Sequence, residues 1–116
     1  MIRIAYLLGG FQGGGGIARV TSILENELSN TDGFEFHAIS YLHQNKPDVY
    51  YLNDKIKRHF LFDAPVSMTK AILFKHVIKK LKFIIVSEKI DILICCDAIH
   101  FPYGILACKE TKTKCL

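Results

Sequence analysis

Short apolar runs and helix-like apolar repeats alternate along the chain. The run at residues 3–8 has no polar alternation, as in a strand that is buried on both faces of a sheet, whereas the repeats recur every three or four residues, as on one side of a helix. The pattern predicts four strands, at residues 3–8, 34–42, 57–62 and 91–96. It predicts three helices, at residues 17–29, 68–88 and 103–110.

Strands that alternate with helices indicate a parallel sheet with helices on both faces. The sequence therefore predicts one α/β, Rossmann-like domain over residues 1–116. Residues 113–116 have the pattern of a further buried strand that opens after the third helix. A sheet that ended there would leave an exposed edge, so we expect the chain to be a fragment of a longer protein.

The first predicted helix has a stripe of bulky apolar residues at helical spacing, with Glu25 and Glu27 pointing elsewhere. The stripe consists of Ile17, Val20, Ile23, Leu24 and Leu28. Gly33 follows this helix and suits the left-handed conformation that ends many helices. We expect the apolar stripe to be the side of the helix that faces the core.

The long second helix combines a broad apolar face with a lysine face. The apolar face consists of Leu73, Phe74, Val77, Leu81, Ile84 and Ile85. The other side carries Lys75, Lys79 and Lys82, with Phe83 among its apolar neighbours. Such a face suits the surface of an anionic membrane, packing against another domain, or plain solvation, and the pattern leaves all three open.

Composition and charge exclude several classes of protein. The 116 residues are 50% hydrophobic and 22% charged, which is too apolar for a disordered chain. No run reaches the length of about 18 apolar residues that a membrane-spanning helix needs, and no signal peptide opens the sequence. Residues 59–116 hold nine of the 15 Lys and Arg but five of the 11 Asp and Glu, so the net charge of +4 lies there.

Metal and nucleic-acid sites are not predicted. The cysteines form no C-x-x-C pair, so we expect no zinc site, and free cysteines fit a cytoplasmic protein. No basic strand interleaved with aromatic residues and no recognition helix is present, so we expect no nucleic-acid binding. His37, in the second predicted strand, is interpreted as a structural residue.

Residues 9–16 carry six glycines between the first strand and the first helix, where ligands bind in open parallel sheets. Glycines allow a ligand close to the backbone, and a helix N-terminus offers free N–H groups to an anion such as phosphate. Gly16 is not followed by the Lys-Ser/Thr of a P-loop, which excludes that class. A dinucleotide fingerprint is met literally by residues 13–18, but the second strand ends without a ribose-binding acid.

The glycine loop and its flanks resemble the start of the glycosyltransferase family 4 enzymes. The resemblance is carried by Leu8-Gly9-Gly10, by Gly15-Gly16-Ile17-Ala18-Arg19-Val20 and by Leu24-Glu25-Asn26-Glu27-Leu28. A later stretch is similar as well, from residue 89 through Asp97 and His100 to a helix over residues 104–109. These enzymes have the GT-B architecture, in which two Rossmann-like domains face each other across a cleft.

The resemblance implies which residues bind substrate. In the family, backbone amides of the glycine loop lie against the phosphates of the nucleotide-sugar or against the reacting sugar. Gly15 and Gly16 are therefore the first candidates, with Gly13 and Gly14 behind them. Arg19, in the first helical turn, is placed either to reach an anion or to pair with a carboxylate.

Asp97 and His100 follow the fourth predicted strand and are expected at the same edge of the sheet as the glycine loop. A carboxylate and an imidazole there suit the binding of an acceptor hydroxyl or a proton transfer. The alternative is that His100 is a loop residue that packs beside Phe101 and Pro102.

The resemblance also implies an activity. It implies retaining transfer of a sugar from a nucleotide-sugar to a glycan or lipid-linked acceptor, without a metal or other cofactor. The family places most donor contacts in a C-terminal domain that this sequence lacks, so the chain is expected to be the acceptor-side domain and inactive alone. We expect a cytoplasmic location with contact to the cytosolic face of a membrane. A non-catalytic nucleotide-binding module and an inactive truncated remnant remain alternatives.

Overall fold

The computed structural model describes residues 1–11, 15–43, 47–63 and 67–116. Its strands and helices alternate as the sequence pattern predicts. In chain order they are β1 (Ile2–Leu8), α1 (Gly16–Leu28), β2 (Phe34–Leu42), β3 (Lys57–Phe62), α2 (Lys70–Ser87), β4 (Ile92–Cys95), α3 (Phe101–Cys108) and β5 (Lys114–Cys115). β2 and β3 have the predicted bounds, and the other elements differ from prediction by one or two residues at their ends.

The five strands form one parallel sheet in the order β3-β2-β1-β4-β5. β1 lies in the centre, where Ile4 is opposite both Phe36 of β2 and Ile92 of β4. Its last four residues are buried, because neighbouring strands and both covering layers enclose them. The short β5 confirms that residues 113–116 open another strand, and the predicted Rossmann-like α/β fold is confirmed.

Two apolar layers cover the sheet. On one face, α2 and α3 pack on β1, β2 and β4 through residues such as Leu81, Ile85 and Ala107. On the other face, Ala18 of α1 and the segment around Leu52 and Ile56 pack on Tyr6, Leu8 and Phe36. Both faces of the central strands are therefore buried, as the continuous apolar runs predict.

The orientation of α1 differs from the prediction. Its buried residues are Ala18, Thr21, Ser22 and Glu25, whereas the predicted apolar stripe is exposed, with Val20 57% accessible. Small side chains on the buried side let the helix lie close to bulky sheet residues such as Tyr6. The apolar stripe is present on α1 as predicted, but it faces outward, and the side with the small residues faces the sheet.

The orientation of α2 confirms the prediction. Val77, Leu81 and Ile85 are buried, and Leu73, Ile78 and Ile84 pack against the same cluster. Gly33, after α1, has the predicted positive φ, at 87°. No helix within the described residues is long and apolar enough to cross a membrane.

Candidate functional site

The glycine loop, the end of β2 and the turn after β4 meet at the carboxyl edge of the sheet. The N–H of Leu42 donates to the carbonyl of Gly9 over 3.0 Å, which joins the end of β2 to the start of the loop. A Cβ on Gly9 would lie 3.7 Å from Cε1 of His100. The parallel sheet therefore brings together residues that lie far apart in sequence, at the edge where such folds bind ligands.

Asp97 and His100 form a close pair. One carboxylate oxygen of Asp97 lies 2.6 Å from Nδ1 of His100 and accepts the backbone N–H of His100 at 2.8 Å. Because the carboxylate accepts a hydrogen bond from Nδ1–H, it fixes the imidazole in the tautomer whose Nε2 is free to accept a hydrogen bond. His100 is 9% exposed, and Nε2 has no hydrogen-bond partner among the described residues.

Two tyrosines, which the sequence analysis did not identify, complete the surroundings of His100. The ring centroid of Tyr41, near the end of β2, is 5.0 Å from that of His100, and the centroid of Tyr103 in α3 is 6.2 Å from it. Burial, with Tyr103 nearby, raises the pKa of Tyr41. The imidazole therefore packs between aromatic rings from two elements, rather than only beside Phe101 and Pro102. The sequence offered one signal for Tyr41, namely an aromatic residue near the carboxyl end of a predicted strand, where parallel sheets bind ligands.

The N-terminus of α1 is open. Gly15 precedes the helix in an extended conformation, and no side chain of the described residues caps the N–H groups of the first turn. A Cβ on Gly15 or Gly16 would contact nothing within 4 Å. The packing of the described residues therefore does not require glycine at these two positions, and a ligand has room there.

The three other candidates at the glycine loop have different outcomes. Arg19 is exposed and forms no ion pair with the described residues, so its guanidinium is free to reach an anion. Gly13 and Gly14 lie outside the described residues. Beside Gly16, a groove of about 400 Å³ runs between α1 and β4 and is lined by Tyr6, Val20 and Ile94, among others.

The lysine face of α2 lies on the outer side of the helix, as predicted. Lys75 and Lys79 are exposed, Lys82 is half-buried, and Phe83 is 73% exposed. Lys79 and Phe83 border a groove of about 420 Å³ between α2 and β3.

Of the comparisons with known proteins, only the one with solved structures found a similarity, and it concerns the fold. No protein-family model and no curated protein matches the sequence. Among solved structures, the chain is similar to the apo form of the lipopolysaccharide outer core galactosyltransferase WaaB, with a TM-score of 0.65 and 20% sequence identity. The match covers 97% of this chain and 31% of that chain. The chain thus has the fold of part of a GT-B glycosyltransferase.

Proposed function

We propose that this chain is the N-terminal, acceptor-side domain of a glycosyltransferase. The whole enzyme would move a sugar from a nucleotide-sugar to a hydroxyl of a glycan or lipid-linked acceptor, with retention of configuration and without a resident cofactor. The observation that carries the proposal is the open N-terminus of α1 at the same sheet edge as the pair of Asp97 and His100. The shared fold with a galactosyltransferase supports it.

The N-terminus of α1 would bind the diphosphate of the donor. The free N–H groups after Gly15 and the positive end of the helix dipole favour an anion there. Arg19 would add a charged donor, because no carboxylate among the described residues engages it. Amides that are oriented before the reaction stabilise the charge that develops on the leaving diphosphate.

The pair of Asp97 and His100 would bind the acceptor. Nε2 of His100 can accept a hydrogen bond from an acceptor hydroxyl, since Asp97 keeps the proton on Nδ1. The rings of Tyr41 and Tyr103 hold the imidazole in place, which limits the orientations that a bound hydroxyl can adopt. The donor contacts of the second domain would complete the site.

Binding of uridine diphosphate to the isolated chain tests the role of the glycine loop. Gly15→Ala and Gly16→Ala place a methyl group where the diphosphate would lie, so each should weaken binding at least tenfold, measured by ligand-observed NMR. Both variants should fold as stably as the parent, because the added Cβ meets no atom within 4 Å. Glu27→Ala, on the exposed side of the same helix, is the matched control.

Two results would overturn this assignment. Equal affinity of the glycine variants and the parent would show that the diphosphate binds elsewhere. The isolated chain should transfer no sugar from a uridine-diphosphate sugar in a radiolabel assay, and turnover would contradict the placement of most donor contacts in a second domain.

We further propose that the lysine face of α2 contacts an anionic membrane. Lys75, Lys79 and Lys82 lie on the same outer side of α2 as the exposed ring of Phe83, and each lysine near an anionic membrane contributes about 1 kcal/mol. Sedimentation with phosphatidylserine vesicles should fall at least tenfold in the triple Lys→Gln variant of these residues. Lys109→Gln, in the exposed turn after α3, is the control. No sedimentation of the parent, or none lost in the triple variant, would contradict this contact.

A further inference from the structure

Three metal-ligating side chains meet on the α2 face of the sheet, in a cluster separate from the glycine loop. His37 comes from β2, His59 from β3, and Glu88 is the residue that caps the C-terminus of α2. One ligand atom of each lies within 4.8 Å of those of the other two. His37 is fully buried, whereas His59 and Glu88 are half-buried, so that solvent reaches one side of the cluster.

The two imidazoles face each other through their ring nitrogens. Nδ1 of His37 lies 2.9 Å from Nε2 of His59, and the ring planes are inclined by 11°. Two nitrogens on one tetrahedral zinc ion, each bonded at about 2.0–2.1 Å, lie about 3.3 Å apart. Zinc binding therefore requires the two rings to move slightly apart and to turn, so that both nitrogen lone pairs point at the ion instead of at each other.

Glu35 fixes which nitrogen of His37 is available. Its carboxylate lies 2.8 Å from Nε2 of His37 and accepts a hydrogen bond from the Nε2–H group. Nδ1 of His37 therefore carries no proton and presents its lone pair toward His59. Nε of Arg3 and Nζ of Lys57 hold the same carboxylate at 3.1 and 3.0 Å. A carboxylate behind a histidine ligand is the usual support of a zinc-bound imidazole.

We propose that His37, His59 and Glu88 bind one divalent zinc ion, with water as the fourth ligand. Two imidazole nitrogens and one carboxylate oxygen suit zinc, whereas magnesium and calcium prefer oxygen ligands alone. The ion would tie β2 and β3 to the end of α2. This is a stabilising role that does not depend on the proposed transferase activity.

Zinc titration of the full chain, stripped of metal with a chelator, tests the site by calorimetry. We expect one ion per chain. His59→Gln and Glu88→Gln should each weaken binding at least tenfold, and both positions are half-buried. Glu35→Gln should weaken binding by about 10- to 100-fold through the orientation of His37. His76→Gln, an exposed histidine of α2, should leave the affinity unchanged.

Cobalt binding distinguishes this site from the cysteines. Cobalt should give a tetrahedral visible spectrum without thiolate charge transfer, and Cys95→Ser should not alter it. Saturating zinc should raise the Tm of the parent and of His76→Gln, but not that of His59→Gln. Absence of saturable binding, or equal affinity in His59→Gln, would overturn the proposal. None of these measurements uses a nucleotide, so their outcome does not depend on whether the proposed transferase function is correct.

Discussion

Glu25 is a fully buried carboxyl group on the inner side of α1. Neither of its oxygens has a hydrogen-bond partner among the described residues, although the Arg58 charge partly offsets its isolation. Burial raises the pKa of Glu25 from 4.5 to about 8. The folded chain therefore prefers this side chain neutral, whereas the unfolded chain ionises it near its ordinary pKa.

Replacement of Glu25 by glutamine should remove part of the pH dependence of stability. Because the pKa is higher in the folded chain, the stabilising effect of proton binding is complete below pH 4.5 and is lost as the pH rises toward 8. Between pH 4.5 and 7 the parent should lose about 3 kcal/mol of unfolding free energy that Glu25→Gln retains. Urea unfolding across this range measures it.

Glu27→Gln is the matched control for this prediction, because Glu27 is exposed on the same helix. Its unfolding free energy should follow the parent at every pH. Parallel profiles of unfolding free energy against pH in the parent and Glu25→Gln would contradict the raised pKa of Glu25.

The packing of α3 against the sheet depends on the absence of a side chain at Gly104. A Cβ there would lie 2.4 Å from Sγ of Cys95 in β4 and 3.3 Å from Sγ of Cys115 in β5. Gly104→Ala should therefore lower the unfolding free energy by about 2 kcal/mol, despite the better helix propensity of alanine. Thermal or urea unfolding gives the difference.

A second substitution tests the cause of this loss. Cys95→Ala removes the sulfur that an alanine at 104 would meet, so the double variant should recover part of the stability. Gly16→Ala, where a Cβ meets nothing, is the control for the substitution itself. Full stability of Gly104→Ala would show that α3 shifts away from β4 at little cost.

The bounds of the helices and strands could be predicted from the sequence where the local pattern of apolar and polar residues determines them. β2 and β3 are bounded by polar or glycine-containing segments, so their limits follow from the sequence. The side of α1 that faces the sheet does not follow from the sequence pattern, because it depends on the size of Tyr6 and Phe36 beneath the helix. The spacing of apolar residues shows that a helix has an apolar side, but it does not show which side of the helix fits against a given sheet.

The candidate site was predictable in outline. Position after a strand was enough to identify Asp97 and His100 as neighbours of the glycine loop, since parallel strands end at one edge. The cluster of His37, His59 and Glu88 was not predictable, because its members come from three elements with no local spacing in common. Only the strand register and the end of α2 bring them together.

At the scale of the whole molecule, the apolar stripe of α1 is a surface that water solvates poorly. Val20 and Leu24 are 57% and 45% exposed and adjoin the groove beside Ile94. Contiguous apolar patches of this kind favour association. The parent should therefore show an apparent mass that rises with concentration in light scattering coupled to gel filtration, whereas Val20→Lys/Leu24→Lys should remain monomeric.

Glu27→Lys, on the same helix but outside the stripe, should behave as the parent does. A parent chain that stays monomeric at millimolar concentration would contradict the association. An equal mass increase in Val20→Lys/Leu24→Lys would locate the contact on another surface.

The central place of β1 also has a consequence for biosynthesis. β1 precedes the other strands of the described sheet in chain order, yet one of its edges pairs with β4, whose residues are synthesised only after α2. Until then, the nascent chain can complete only the β3-β2-β1 side of the sheet. The edge of β1 that pairs with β4 therefore stays unpaired until α2 and β4 have been synthesised, and an unpaired strand edge of this kind favours aggregation.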